Sequence, residues 1–156
     1  MRTLLKAAIA TFALDQVTKY IVVFALNLDQ VRQIDVLPPF LRLVMAWNEG
    51  INFGLLSGST DLARWGLILL ALAISVWIWR MAGREPHNDR VQISAGLLIG
   101  GALGNVIDRL LYGAVADFLN MSVPGIYNPF SFNIADVAIF FGALGLVFYT
   151  GRDKTP

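Results

Sequence analysis

Four long apolar stretches divide the chain, at about residues 4–26, 62–79, 91–112 and 134–150. A bilayer core about 30 Å thick needs roughly 20 mostly apolar residues per helix, so each stretch predicts a transmembrane helix. None is cleanly apolar. Asp15 and Lys19 interrupt the first, Arg64 lies near the start of the second, Asn105, Asp108 and Arg109 fall late in the third, and Asp136 opens the fourth. The connections differ in texture. Residues 27–61 hold alternating and β-branched pieces, Pro38-Pro39, and a stretch from Asn48 to Gly54 rich in Asn and Gly, which predicts a small β-element with turns. Residues 113–132 carry the turn signals Pro124-Gly125 and Asn128-Pro129. The expected architecture is an all-α integral membrane protein: one domain over residues 1–156, four transmembrane helices, and a small extracytoplasmic β-element between helices 1 and 2.

Composition agrees. Of 156 residues, 56% are hydrophobic and only 15% charged, against about 25% charged in soluble domains. So much apolar surface excludes disorder, which needs low hydrophobicity and high net charge. No Cys is present, which excludes a disulfide scaffold, thiolate metal sites and a Cys nucleophile. The single His, His87, excludes a His-cluster metal site and speaks against a Ser-His-Asp triad. A net charge of +1 advertises no nucleic-acid partner. The first apolar run is long and contains Asp15 and Lys19, so it reads as an uncleaved span and not as a secretory signal. Arg2, Lys6, Arg80, Arg84, Arg90, Arg152 and Lys154 all fall on one side of the four spans, while residues 113–132 have no Lys or Arg. The positive-inside rule then places both termini in the cytoplasm and the two longer loops outside. Trp47, Phe53 and Phe40 are candidate aromatic anchors at the headgroup level.

Charges inside a span cost roughly 2.5–3.5 kcal/mol on insertion scales and persist when paired or functional. Asp15 and Lys19, four apart, share a helix face and read first as an ion pair turned into the bundle. Asn105, Asp108 and Arg109 sit on neighbouring faces below the outer boundary. An Asp108–Arg109 structural pair and direct contact with a substrate are both open there. Gly96, Gly100 and Gly104 recur every four residues, a stripe for close helix packing in lipid. Asp117 has apolar neighbours (Val115, Ala116, Phe118, Leu119) that would desolvate it; taken alone it reads as a solvated loop residue or a cap. Asn133 and Asp136 resemble an N-cap and its capping box.

The combination says more than any member. Asp117 and Asp136 flank the outer loop between the third and fourth spans, so both reach the same interface. Two close carboxylates cannot both ionise easily, so one keeps a proton. Such a pair supplies a general base for water and an acid for a carbonyl oxygen, with no metal, cofactor or covalent nucleophile required.

The motifs Asp15-Gln-Val-Thr-Lys19, Asn48-Glu-Gly-Ile-Asn-Phe-Gly54, Gly100-Gly-Ala-Leu-Gly-Asn105-Val-Ile-Asp108-Arg109, Val115-Ala-Asp117-Phe118 and Phe132-Asn133-Ile-Ala-Asp136 occur in that order. On these the chain resembles the lipoprotein signal peptidases, the bacterial signal peptidase II family, over about residues 15–140. The resemblance implies an aspartic peptidase of the bacterial inner membrane. Such an enzyme removes the signal peptide of prolipoproteins just before a lipobox Cys that carries diacylglycerol. It also implies membrane lipids as partners and globomycin-like cyclic peptides as inhibitors. It puts Asp117 and Asp136 at the catalytic positions and Asn48, Asn105, Arg109 and Asn133 at positions lining the site. Gly50, Asp15, Lys19 and Asp108 fall at supporting positions. Ile51-Asn52 stands where many members have two Ala, a departure that bears on the pocket beside Asn48.

The expected mechanism has a water between the two carboxylates. Asp136, at a helix N-terminus, is the expected base, and Asp117, in apolar surroundings, the proton holder. Outer loops with Trp47 and Phe53 are candidates to close over the site. The rival reading is a non-enzymatic transporter or scaffold with structural intramembrane ion pairs. It predicts charges spread through the membrane depth, whereas Asp108, Asp117 and Asp136 cluster at one interface and only Asp15 and Lys19 are expected deeper.

Overall fold

The computed structural model describes residues 1–50 and 60–151. Phe53, the Ile51-Asn52 pair and Gly54 therefore lie outside the described residues. The chain opens with helix α1 (Arg2–Lys19), extended by a π-helical turn at Tyr20–Ala25 and a one-turn helix α2 (Leu28–Val31). Strands β1 (Gln33–Leu37) and β2 (Leu41–Asn48) follow, then helices α3 (Thr60–Ala82) and α4 (Asp89–Tyr112), strand β3 (Val115–Met121) and helix α5 (Ile134–Tyr149). Among the described residues, three helical segments are long and apolar enough to cross a membrane: Arg2–Ala25, Asp61–Ala82 and Asp89–Tyr112. Helix α5 is also apolar, but its 16 residues extend only about 24 Å at 1.5 Å per residue.

Helix α4 is the hub, and glycine explains why. A Cβ at Gly96, Gly100 or Gly104 would overlap, in turn, the Leu4 carbonyl, the Ala8 carbonyl and the Asp15 carboxylate of α1. The predicted small-residue stripe is thus the α1–α4 seam. Gly101, Gly142 and Gly145 do the same between α4 and α5, against Ala135, Ser94 and Leu98. Large side chains face outward, among them Leu69, Trp77, Phe140 and Val147, as expected where lipid is the solvent.

The β-element departs from expectation. It is a three-stranded antiparallel sheet in the order β1-β2-β3. Its third strand comes from residues 113–132, read from sequence as a loop with turns. Gly113, in the left-handed region at φ +80°, ends α4 and turns the chain directly into β3. An extra residue on β2 between Leu43 and Ala46 forms a bulge, so Ala46 lies opposite Asp117 and Asn48 opposite Val115. Phe132 then pairs with Leu119, which brings Asn133 and the start of α5 beside β3.

Two apolar cores result. Leu4, Ala8, Ile78, Ala82, Val91, Ala95, Leu98, Ile99 and Leu146 pack within the bundle. Val23, Leu28, Leu43, Met45, Ala116 and Phe118 pack under the sheet. The polar cluster lies between them.

Candidate active site

Asn133 organises the cluster. It caps α5: its Oδ1 accepts from the Asp136 amide at 2.9 Å, and Asp136 Oδ2 accepts from the Asn133 amide at 3.1 Å, the reciprocal capping box expected from sequence. With Oδ1 engaged, Asn133 Nδ2 points the other way and donates to Asp117 Oδ1 at 2.6 Å. One fully buried asparagine therefore bonds both carboxylates. Two more amides finish the arrangement. Asn105 Nδ2 on α4 donates to Asp136 Oδ1 at 3.0 Å, and Asn48 Nδ2 at the end of β2 donates to Asp117 Oδ2 at 3.1 Å. Each is oriented in turn. Asn48 Oδ1 accepts from the Gly50 amide at 3.0 Å, in a turn that needs φ +112° at Gly50 and hence a glycine. Asn105 Oδ1 accepts from Lys19 Nζ at 3.2 Å and from Asn133 Nδ2 at 3.3 Å.

Asp117 is no solvated loop residue. It sits inside β3 with 4% of its surface exposed. Burial, and next the charge of Asp136, push its pKa up to about 6; the Asn48 and Asn133 amides and Lys19 pull against that shift. A carboxyl so placed keeps its proton up to about pH 6, with an ionisable partner two hydrogen bonds away through Asn133.

Beneath this pair lies a buried ion triad. Lys19 Nζ is 2.8 Å from Asp15 Oδ2 and 2.8 Å from Asp108 Oδ2. The Asp15–Lys19 pair forms as expected, and also reaches across to α4. One expectation changes here. The Asp108–Arg109 pair does not form among the described residues: Asp108 goes to Lys19, and Arg109 donates to the Asn105 carbonyl at 3.3 Å. Arg109 is left within electrostatic reach of Asp117 and Asp136.

Gln16 was missed by sequence reasoning. Its Nε2 donates to Asp108 Oδ1 at 3.1 Å, Asp15 Oδ2 at 3.1 Å and the Gly104 carbonyl at 3.3 Å. The signal was a polar amide inside an apolar span, hidden by the charges beside it. Trp47 Nε1 donates to Asp29 Oδ1 at 2.9 Å, and its ring lies 5.5 Å from that of Tyr112.

The family profile described as Signal peptidase (SPase) II matches residues 7–151. The chain belongs to the signal peptidase II family. It is 40% identical over 150 residues to the lipoprotein signal peptidase of Methylobacterium sp. (strain 4-46), covering 94% of this chain and 87% of that one. It is 41% identical over 151 residues to the lipoprotein signal peptidase of Rhodopseudomonas palustris (strain ATCC BAA-98 / CGA009), covering 91% and 87%. A bacterial membrane enzyme solved by the in meso method at 1.9 Å resolution superposes with a TM-score of 0.82 at 30% identity, covering 99% of this chain and 96% of the other. The signal peptidase II family is one of peptidases, and this chain is accordingly a multi-pass membrane protein with a helical body and a small sheet.

Proposed function

We propose that this protein is an aspartic membrane endopeptidase that removes the signal peptide from diacylglyceryl-modified prolipoproteins, cleaving just before the lipidated Cys. The observation that carries the reading is the pair Asp117 and Asp136, both bonded to Asn133, one of them raised to about 6. In the proposed reaction Asp136 accepts a proton from water, and that water attacks the scissile carbonyl. Protonated Asp117 donates to the carbonyl oxygen. The tetrahedral diol then collapses, the C–N bond breaks, and the amine leaves with a proton from the dyad. Arg109, Asn48 and Asn105 hold the substrate backbone.

All four helices α1, α3, α4 and α5 cross the inner membrane in this reading, with both termini cytoplasmic and the site at the outer face. The short α5 fits, since its capped N-terminus starts below the sheet at the outer interface. The signal peptide, an apolar helix, lies in the bilayer, and the diacylglycerol stays in lipid. Globomycin-like cyclic peptides occupy the same site. The test is cleavage of a diacylglyceryl-modified prolipoprotein in lipid, with the product sequenced. A new N-terminus at the lipidated Cys, blocked by such a cyclic peptide, supports the proposal. An uncut substrate with folded protein moves the weight to a transporter or scaffold.

A further inference from the structure

We infer that the buried triad Asp15–Lys19–Asp108 is a positioning device: it sets the pose of the two carboxylates by holding the backbone amide beside each. The inference rests on the reading of Asp117 and Asp136 as the catalytic pair. Asp15 Oδ1 accepts from the Ala135 amide at 3.0 Å, one residue before Asp136. Asp108 Oδ2 accepts from the Ala116 amide at 3.1 Å, one residue before Asp117. Lys19 lies between, 2.8 Å from each carboxylate, so the two tethers share one cation. Its contact with Asn105 Oδ1 at 3.2 Å turns the Asn105 amide toward Asp136. Gln16 braces the free oxygen of Asp108 at 3.1 Å.

An ion pair that served only to neutralise charge in the membrane would need no particular backbone partner. Here the two acidic members reach, from two different helices, the N–H that precedes each dyad residue. The Ala135 amide lies in the first turn of α5, where helix geometry provides no acceptor. The Ala116 amide joins β3 to α4. Charge-assisted bonds of this kind are roughly twice as strong as neutral ones, and the members are buried: Lys19, Asp15 and Asp108 are 5%, 0% and 1% exposed. The distance between the carboxylates is therefore set from below, through backbone, and not by the side chains alone.

The test uses full-length wild type, Asp15→Asn, Asp108→Asn and Lys19→Met in lipid, with kcat, KM, the pH profile and amide hydrogen exchange as readouts. The two Asn variants keep the side-chain volume and guard against Lys19→Met failing to fold. In folded Asp108→Asn, kcat falls by about 10²-fold, the effect of roughly 1 Å of misplacement, while KM stays close to wild type. Exchange quickens at Ala116 in Asp108→Asn, at Ala135 in Asp15→Asn, and at both in Lys19→Met. Asp117 faces Asp136, Arg109, Lys19 and the Asn48 and Asn133 amides. Losing the Lys19 cation therefore moves the alkaline limb of the profile upward. Folded variants with wild-type kcat and pH profile and only a lower melting temperature overturn the inference. A wild type that does not cleave, or an Asp117→Asn that does, refutes the peptidase reading instead, and the exchange data then still decide whether the triad tethers the two amides.

Discussion

At the scale of single residues, Asn133 is the point where structure and chemistry meet. It is at once the N-cap of α5 and the bridge from Asp136 to Asp117. Asn133→Ala removes a cap worth about 1 kcal/mol and frees both carboxylates, so kcat falls far more than stability; parallel melting and kinetic measurements check the disproportion. The raised pKa of Asp117 gives two further expectations. In the proposed reaction Asp117 donates its proton, so kcat/KM is expected to follow a bell whose alkaline limb lies near the pH of about 6 at which Asp117 ionises. A flat profile from pH 5 to 8 contradicts this. For stability the sign runs the same way. A carboxyl raised in the folded state favours folding below its unfolded pKa, and that contribution is lost as pH rises through about 6. The melting-temperature advantage of Asp117→Asn over wild type is accordingly greatest at pH 8 and shrinks toward pH 4.

Between elements, close approach is the controlling quantity. Gly104 lets α1 come near enough for Asp15 to reach α5 and for Lys19 to reach α4. Gly104→Ala sets a methyl against the Asp15 carboxylate, which at typical overpacking costs of about 1–3 kcal/mol lowers the melting temperature. Activity drops further than the folded fraction explains. The glycine stripe and the capping box were legible in sequence because both are local, period-four signals. The strand β3 was not. Its residues Val115–Met121 pair with β2 from far along the chain, and a strand buried on both faces has no alternating pattern to read. The same long-range pairing turned Asp117 from an apparent loop residue into a buried one. The pairing of Lys19 with Asp108 was hidden for a like reason: helix periodicity exposes neighbours on one helix, and this contact joins two.

Across the whole molecule, the four apolar stretches and their order were plain from hydropathy, and the carboxylate pair from its motifs. Which partners hold each carboxylate required the three-dimensional register. The proposed orientation in the membrane rests on the Lys and Arg bias and is open to a direct check, because the chain has no cysteine. A single Cys at Tyr127, exposed in the loop between β3 and α5, is expected to react with an impermeant maleimide on spheroplasts. A single Cys at His87, exposed between α3 and α4, reacts only after permeabilisation. The reverse pattern would invert the molecule and move the site to the wrong face. The central claim is that Asp117 and Asp136 together activate water. Its most direct measurement is the cleavage rate of a diacylglyceryl-modified prolipoprotein by lipid-embedded wild type, Asp117→Asn and Asp136→Asn, each shown to be folded. Cleavage before the lipidated Cys by wild type, with no turnover by either variant, is the result predicted; turnover by either variant within about tenfold of wild type, under 1.4 kcal/mol of barrier, would contradict it.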